Sequence, residues 1–224
     1  MIFGKLKDID KKKIKIVIEG QTLEVVSKTK FLGLILDDCL NWKQHTLYLA
    51  KKTAKSIGIL SLARQVLGKS TLVQLYYSFI FPYLSYCNLA WGGAIDSNLW
   101  VIYRIQKMAL RLILNIRKGS STLAECKSLL LLRLPEIHLH SIAIFMFKYN
   151  SGMLPNLFDN FFKCNSDSHQ YNTRNALKLR TPLARTSLAT KFIKKTGVEL
   201  WNTLETDMEV NCSIGTFKNT CRFT

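Results

Sequence analysis

The sequence predicts an α+β, mostly α fold: a small N-terminal antiparallel β-meander followed by a helical bundle. Three observations carry this. Ile14, Ile16 and Ile18 recur at a period of two, as on a half-buried strand. Phe31 to Leu36 is a short apolar run bounded by turn signals, suited to a buried strand. From Asn41 onward the apolar residues recur at three- and four-residue steps, the period of a helix with one buried face. With 224 residues, 48% of them hydrophobic, the chain can bury a core, and disorder is not expected.

In order, Met1-Ile2-Phe3 reads as strand without a preceding leader, as though the chain began partway through a domain. Lys5 to Lys13 is charged and reads as a solvated loop. Glu19-Gly20-Gln21 is a turn between the Ile14–Ile18 strand and a second strand through Leu23, Val25 and Val26, with Phe31 to Leu36 as the third. Asp37-Asp38 then turns the chain, and Asn41 can cap a helix that carries Trp42 in its first turn. That helix is expected to run to about Leu67, with Leu47, Ala50, Ala54, Ile57 and Leu60 inward and Lys51, Lys52 and Lys55 outward. Gly68 is a plausible stop and Ser70 a cap for the next helix.

Residues 71–94 are apolar enough to suggest a membrane span. Gln74, Pro82, Asn88 and seven aromatic side chains argue instead for a buried central helix kinked at Pro82. Asp96-Ser97 opens a helix on which Arg104, Lys107, Arg111 and Lys118 fall within an arc of about 60°, opposite Ile102, Ile105, Ala109, Leu112, Ile113 and Ile116. A short helix from Thr122 to Arg133 is expected to end at Leu134-Pro135, followed by an apolar one from His138 to Lys148. Residues 163–186 read as a polar loop or mobile arm bearing Arg174, Arg180 and Arg185. A final helix is expected from about Leu188 to Leu204, anchored by Trp201, with another beginning near Phe217.

The formal charge is +17, which points to a polyanionic partner, nucleic acid ahead of membrane lipid. Its distribution matters more than its sum. Between residues 41 and 118 there are 11 Lys and Arg against a single acid, Asp96, whereas residues 119–162 balance at three and three. The six cysteines are widely spaced with no C-x-x-C pair, and His138 and His140 have no cysteine pair near them, so neither a disulfide framework nor a zinc site is expected.

Four stretches in order, TKFLGLILDDCLNWKQH (29–45), LYYSFIFPYLSYCNLAWG (75–92), IQKMALRLI (105–113), and YNTRN (171–175) with LWNTL (200–204), form a pattern over nearly the whole chain. Together they resemble the C-terminal part of the reverse transcriptase of jockey-like non-LTR retrotransposons. The resemblance implies a residual palm β-meander at 1–40, a thumb-like helical domain at 41–162, and a basic loop with a C-terminal helical extension at 163–224. It implies RNA-directed DNA polymerase as the parent activity, with Mg2+ as the parent family's cofactor, and the upstream palm and fingers as a missing partner. The family's metal-binding aspartate pair lies in an aromatic-Ala-Asp-Asp turn that is absent here. Asp37-Asp38 is expected to cap and turn the chain, so no catalytic residue, no metal ligand and no cofactor is assigned within these residues.

A thumb holds its duplex by the backbone, which requires exposed cations without base readout. Lys51, Lys52, Lys55, Arg104, Lys107, Arg111 and Lys118 suit that role toward an RNA or DNA duplex, with no membrane partner and an intracellular location, cytoplasmic or nuclear. Trp42, Trp91 and Trp201 read as core anchors and His45 as a packing or capping residue. Two other readings compete: a basic helical scaffold with no link to a polymerase, and a non-functional pseudogene product whose Ile14, Ile16 and Ile18 face is left exposed.

Overall fold

The computed structural model describes residues 1, 3, 15–117, 121–167, 175–176, 178–207 and 213–221. The fold is α+β and mostly α, with two small antiparallel sheets ahead of the helices. In place of one meander, the N-terminal strands form two separate hairpins: β1 (Ile16–Ile18) with β2 (Gln21–Leu23), and β3 (Lys28–Phe31) with β4 (Leu34–Asp37). Each closes through a two-residue loop with both φ angles positive, Glu19-Gly20 at 49° and 80° and Leu32-Gly33 at 45° and 81°. Such loops match the twist of the strands they join. The run from Phe31 to Leu36, expected as one strand, therefore folds back on itself at Gly33. The Tyr86 hydroxyl donates to the Leu32 carbonyl at 2.8 Å and holds that turn against the helices.

The first hairpin is not half-buried as expected. Ile16, Val17, Ile18 and Leu23 are all exposed, and no described element packs extensively on the hairpin. Ile14, the Lys5–Lys13 loop, Lys118 and Arg174 lie outside the described residues.

Helix α1 (Lys43–Ala63) buries a different face from the one its aliphatic residues suggest. Leu47 and Ala54 are exposed, whereas His45, Thr46, Thr53 and Ser56 join Leu49, Ala50 and Leu60 inside. The hydroxyls make this possible by using nearby carbonyls: Thr53 Oγ1 donates to Leu49 O at 2.9 Å, Thr46 Oγ1 to Lys43 O at 2.9 Å, and Ser56 Oγ to Phe79 O at 3.2 Å. A stripe of small, satisfied polar side chains lets α5 (Asp96–Leu114) lie close along α1.

Between them the expected kinked helix is three short ones, α2 (Lys69–Phe79), α3 (Phe81–Ser85) and α4 (Asn88–Trp91). Pro82 starts α3 in its first turn, where a missing N–H costs nothing. Gly68, not Ser70, precedes α2 as its cap. Pro135 likewise opens a helix where the sequence suggests a stop. After α6 (Leu123–Ser128) comes α7 (Leu134–Asn150), and Glu136 accepts from the Arg133 N–H at 2.7 Å while pairing with its guanidinium.

Two apolar clusters share α7. One gathers Leu49, Leu60, Tyr76, Trp91, Ile102 and Leu110 on Leu134 and Ile137. The other packs Phe162, Val198, Trp201 and Phe217 on Ile142, Met146 and Phe147. The C-terminal part is α8 (Ser187–Thr190), α9 (Ile193–Asp207) and α10 (Ile214–Thr220), so the single expected helix from Leu188 is broken near Lys191. Described parts of the stretch ahead of it are tied together: Cys164 and Leu179 form an antiparallel β-bridge, and the Asn202 amide donates to Leu179 O at 2.8 Å.

One buried side chain joins three of these elements. From α5, Gln106 Nε2 donates to Tyr76 Oη at 2.8 Å and Leu132 O at 3.0 Å, and its Oε1 accepts from Leu134 N–H at 2.7 Å. Replacing it strands a buried donor and a buried hydroxyl at once. Gln106→Leu is expected to lose about 3 kcal/mol of stability in urea unfolding, and a loss below about 0.5 kcal/mol would contradict this role.

Candidate nucleic-acid interface

The lysine-bearing helix is aimed by Asp37. Its buried carboxylate accepts from the N–H groups of Cys39 at 3.2 Å, Asn41 at 3.0 Å and Trp42 at 3.0 Å. This set spans the whole turn from β4 to α1 and holds Leu40 and Trp42 at φ 50° and 63°, left-handed values that side chains rarely adopt. Asn41 contributes as expected at the start of α1, accepting from Lys43 N–H at 2.8 Å, although Trp42 rather than Asn41 occupies the cap position.

With its lone pairs turned onto that backbone, Asp37 does not fit a catalytic magnesium ligand. Among the described residues no three His, Cys, Asp or Glu side chains gather closely enough to hold a metal ion. Among the described residues, too, no helix is long and apolar enough to cross a membrane.

Lys51, Lys52 and Lys55 are exposed on α1, on the side away from its buried stripe. Lys52 Nζ stands 5.8 Å from the centre of the Tyr48 ring. On α5, Arg104 is exposed, while Lys107 and Arg111 are half-buried along the same face, with Lys107 Nζ 5.0 Å from the Tyr103 ring. Lys51, Lys52, Lys55, Arg104 and Lys107 pair with no carboxylate among the described residues. The helix ends at Leu114 with Asn115 left-handed, so Ile116 does not extend its apolar face as the sequence suggests, and Lys118 lies outside the described residues.

The same arc of α5 carries two aromatics that the charge pattern alone does not single out. Trp100 is 53% exposed, and its ring centre lies 5.9 Å from that of half-buried Tyr103. Their spacing, three residues from each other and seven and four from Lys107, is the signal that marks them. Trp91 and Trp201 are core anchors, at 0% and 2% exposure, and Trp42 is half-buried.

In comparisons with protein-family models, curated proteins and solved structures, the chain matches none.

His45 sits behind the Asp37 turn and has no catalytic geometry. Its Nδ1 accepts from Ile35 N–H at 3.3 Å, and its ring is enclosed by Trp42, Tyr48 and Trp91 at 5.6–6.4 Å between centres. Burial lowers its pKa to about 4. Below pH 6.5 the unfolded chain takes up this proton and the folded chain does not, so stability falls as pH drops from 6.5 toward 4. His138, lowered in the same way by burial, acts in the same direction. His45→Gln keeps an acceptor for Ile35 without titrating. Between pH 7 and 5 it is expected to lose less stability than the parent chain, by roughly 2 kcal/mol in urea midpoints, and parallel losses would contradict this.

Proposed function

We propose that this chain grips the sugar–phosphate backbone of an RNA or DNA duplex, as the thumb of a jockey-like non-LTR retrotransposon reverse transcriptase. On this reading it is a truncated RNA-directed DNA polymerase that keeps the clamp and lacks the catalytic aspartates. The observation that carries the reading is the pair of cationic stripes on two packed helices: Lys51, Lys52 and Lys55 on α1, and Arg104, Lys107 and Arg111 on α5. No acid lies between Asp96 and Glu125, and Asp96, in the first turn of α5, is paired with Lys191, so the helix carries no carboxylate among Arg104, Lys107 and Arg111 themselves. Cations on rigid helices with no base-reading geometry suit a duplex held by position rather than sequence.

Ile16, Val17 and Ile18 offer a surface on which the remainder of a polymerase palm could pack. Mg2+ belongs, on this reading, to that remainder, because the Asp37 carboxylate is committed to its turn.

Six phosphate contacts predict that log affinity for an RNA–DNA hybrid falls against log salt with a slope near −5. Reversing three of them, as Arg104→Glu/Lys107→Glu/Arg111→Glu, is expected to weaken binding and flatten the slope by about 3. Fluorescence anisotropy between 50 and 200 mM salt measures both. Affinity indifferent to salt, or to the triple reversal, would sink the clamp and favour a basic scaffold. Primer extension with Mg2+ or Mn2+ is expected to give no incorporation, and a growing primer would overturn the assignment of no catalytic residues.

A further inference from the structure

A half-open cavity of about 430 Å³ lies between the first half of α5, the start of α7 and the corner at Gly92-Gly93. That size falls in the range of about 300–1,000 Å³ that suits small planar ligands. One wall is aromatic, from Trp100 and Tyr103, whose rings are tilted 54° to each other.

Another wall carries His138, whose Nδ1 lies 3.0 Å from Asn88 Oδ1. Because the Asn88 amide nitrogen donates to Leu84 O at 2.8 Å, its oxygen is the acceptor, and the histidine proton sits on Nδ1. Nε2 is left as an acceptor for whatever the cavity holds. Burial lowers the pKa of this ring, against the Asn88 hydrogen bond and with the help of the nearby Lys191 ammonium.

The corner is fixed by close approach. A Cβ on Gly92 would come within 2.4 Å of His138 Nδ1, and one on Gly93 within 2.6 Å of the Lys191 carbonyl. Asp96, the carboxylate on the rim, is paired with Lys191 and does not stand free to repel a phosphate. From Trp100 to Arg111 the face of α5 runs about 16 Å, with Arg104 and Lys107 in between.

We propose that this cavity receives an unpaired nucleobase from a strand whose phosphates follow Arg104, Lys107 and Arg111. The base stacks on Trp100 beside Tyr103, with an N–H of its edge donating to His138 Nε2. A stacking face is common to every base, so the pocket senses an unpaired nucleotide and not a sequence. Charge complementarity selects this occupant: the aromatic wall and the cationic stripe lie on one face of one helix, and an apolar peptide would leave the stripe unused.

The inference rests on the duplex reading above, and three RNA–DNA hybrids separate the two. One is blunt, one has a single-nucleotide overhang, and one has the same overhang made abasic. Anisotropy titrations of the full chain are expected to give the base-bearing overhang an advantage over the abasic one of roughly 5- to 100-fold. Trp100→Ala should abolish that advantage and leave blunt-duplex affinity unchanged, and Trp100→Phe should restore most of it. Equal affinity for base and abasic overhangs, or an advantage that survives Trp100→Ala, would overturn the pocket. Salt-dependent binding of all three hybrids alike would sink the pocket and leave the clamp standing. Binding to none would sink both.

Discussion

The Gln106 carboxamide is the constraint on which the helical part of this molecule depends. It comes from α5 and uses both ends, donating to Tyr76 on α2 and to Leu132 while accepting from Leu134 at the start of α7. A buried amide is costly unless every partner is supplied, so these three elements hold together in one arrangement or leave a polar group stranded. That arrangement turns the opposite face of α5 outward, and this is the face that carries Trp100, Tyr103, Arg104 and Lys107. It also brings the first turns of α7, with His138, against the N-terminal half of α5.

A second polar device works at the other end of the bundle. The Asp37 carboxylate gathers three backbone N–H groups and fixes how the chain passes from strand to helix. Left-handed values at Leu40 and Trp42 each cost of order 1 kcal/mol, which charge-assisted bonds of this kind can offset. The direction of α1, and so of Lys51, Lys52 and Lys55, follows from this turn. Both cationic helices are thus set by buried polar groups, whereas aliphatic packing supplies the bulk of the stability around them.

Much of the fold was legible in the sequence, and the failures have physical causes. The order of strands before helices, the opening of α5 at Asp96 and its wet and dry faces all followed from periodicity. The inner face of α1 did not, because its threonines and serine satisfy themselves on nearby carbonyls and read as polar to any hydrophobicity pattern. Pro82 and Pro135 were read as a kink and a stop, yet a proline in the first turn of a helix is equally well placed. Leu32-Gly33 hid a hairpin turn inside an apolar run, since leucine rarely adopts a positive φ. At the site, the lysines and arginines were readable one helix at a time. The cavity was not, because its walls come from α5, α7 and the Gly92-Gly93 corner, which tertiary packing alone brings together.

The central claim is that an anionic backbone lies along the α1 and α5 stripes. Lysine-reactivity footprinting with an amine-acetylating reagent tests it most directly, with and without a saturating RNA–DNA hybrid at low salt. The account predicts strong protection of Lys51, Lys52, Lys55 and Lys107, with exposed Lys127 and Lys163 on other elements reacting as before. Unchanged reactivity along both stripes, or protection spread evenly over all the lysines, would contradict it.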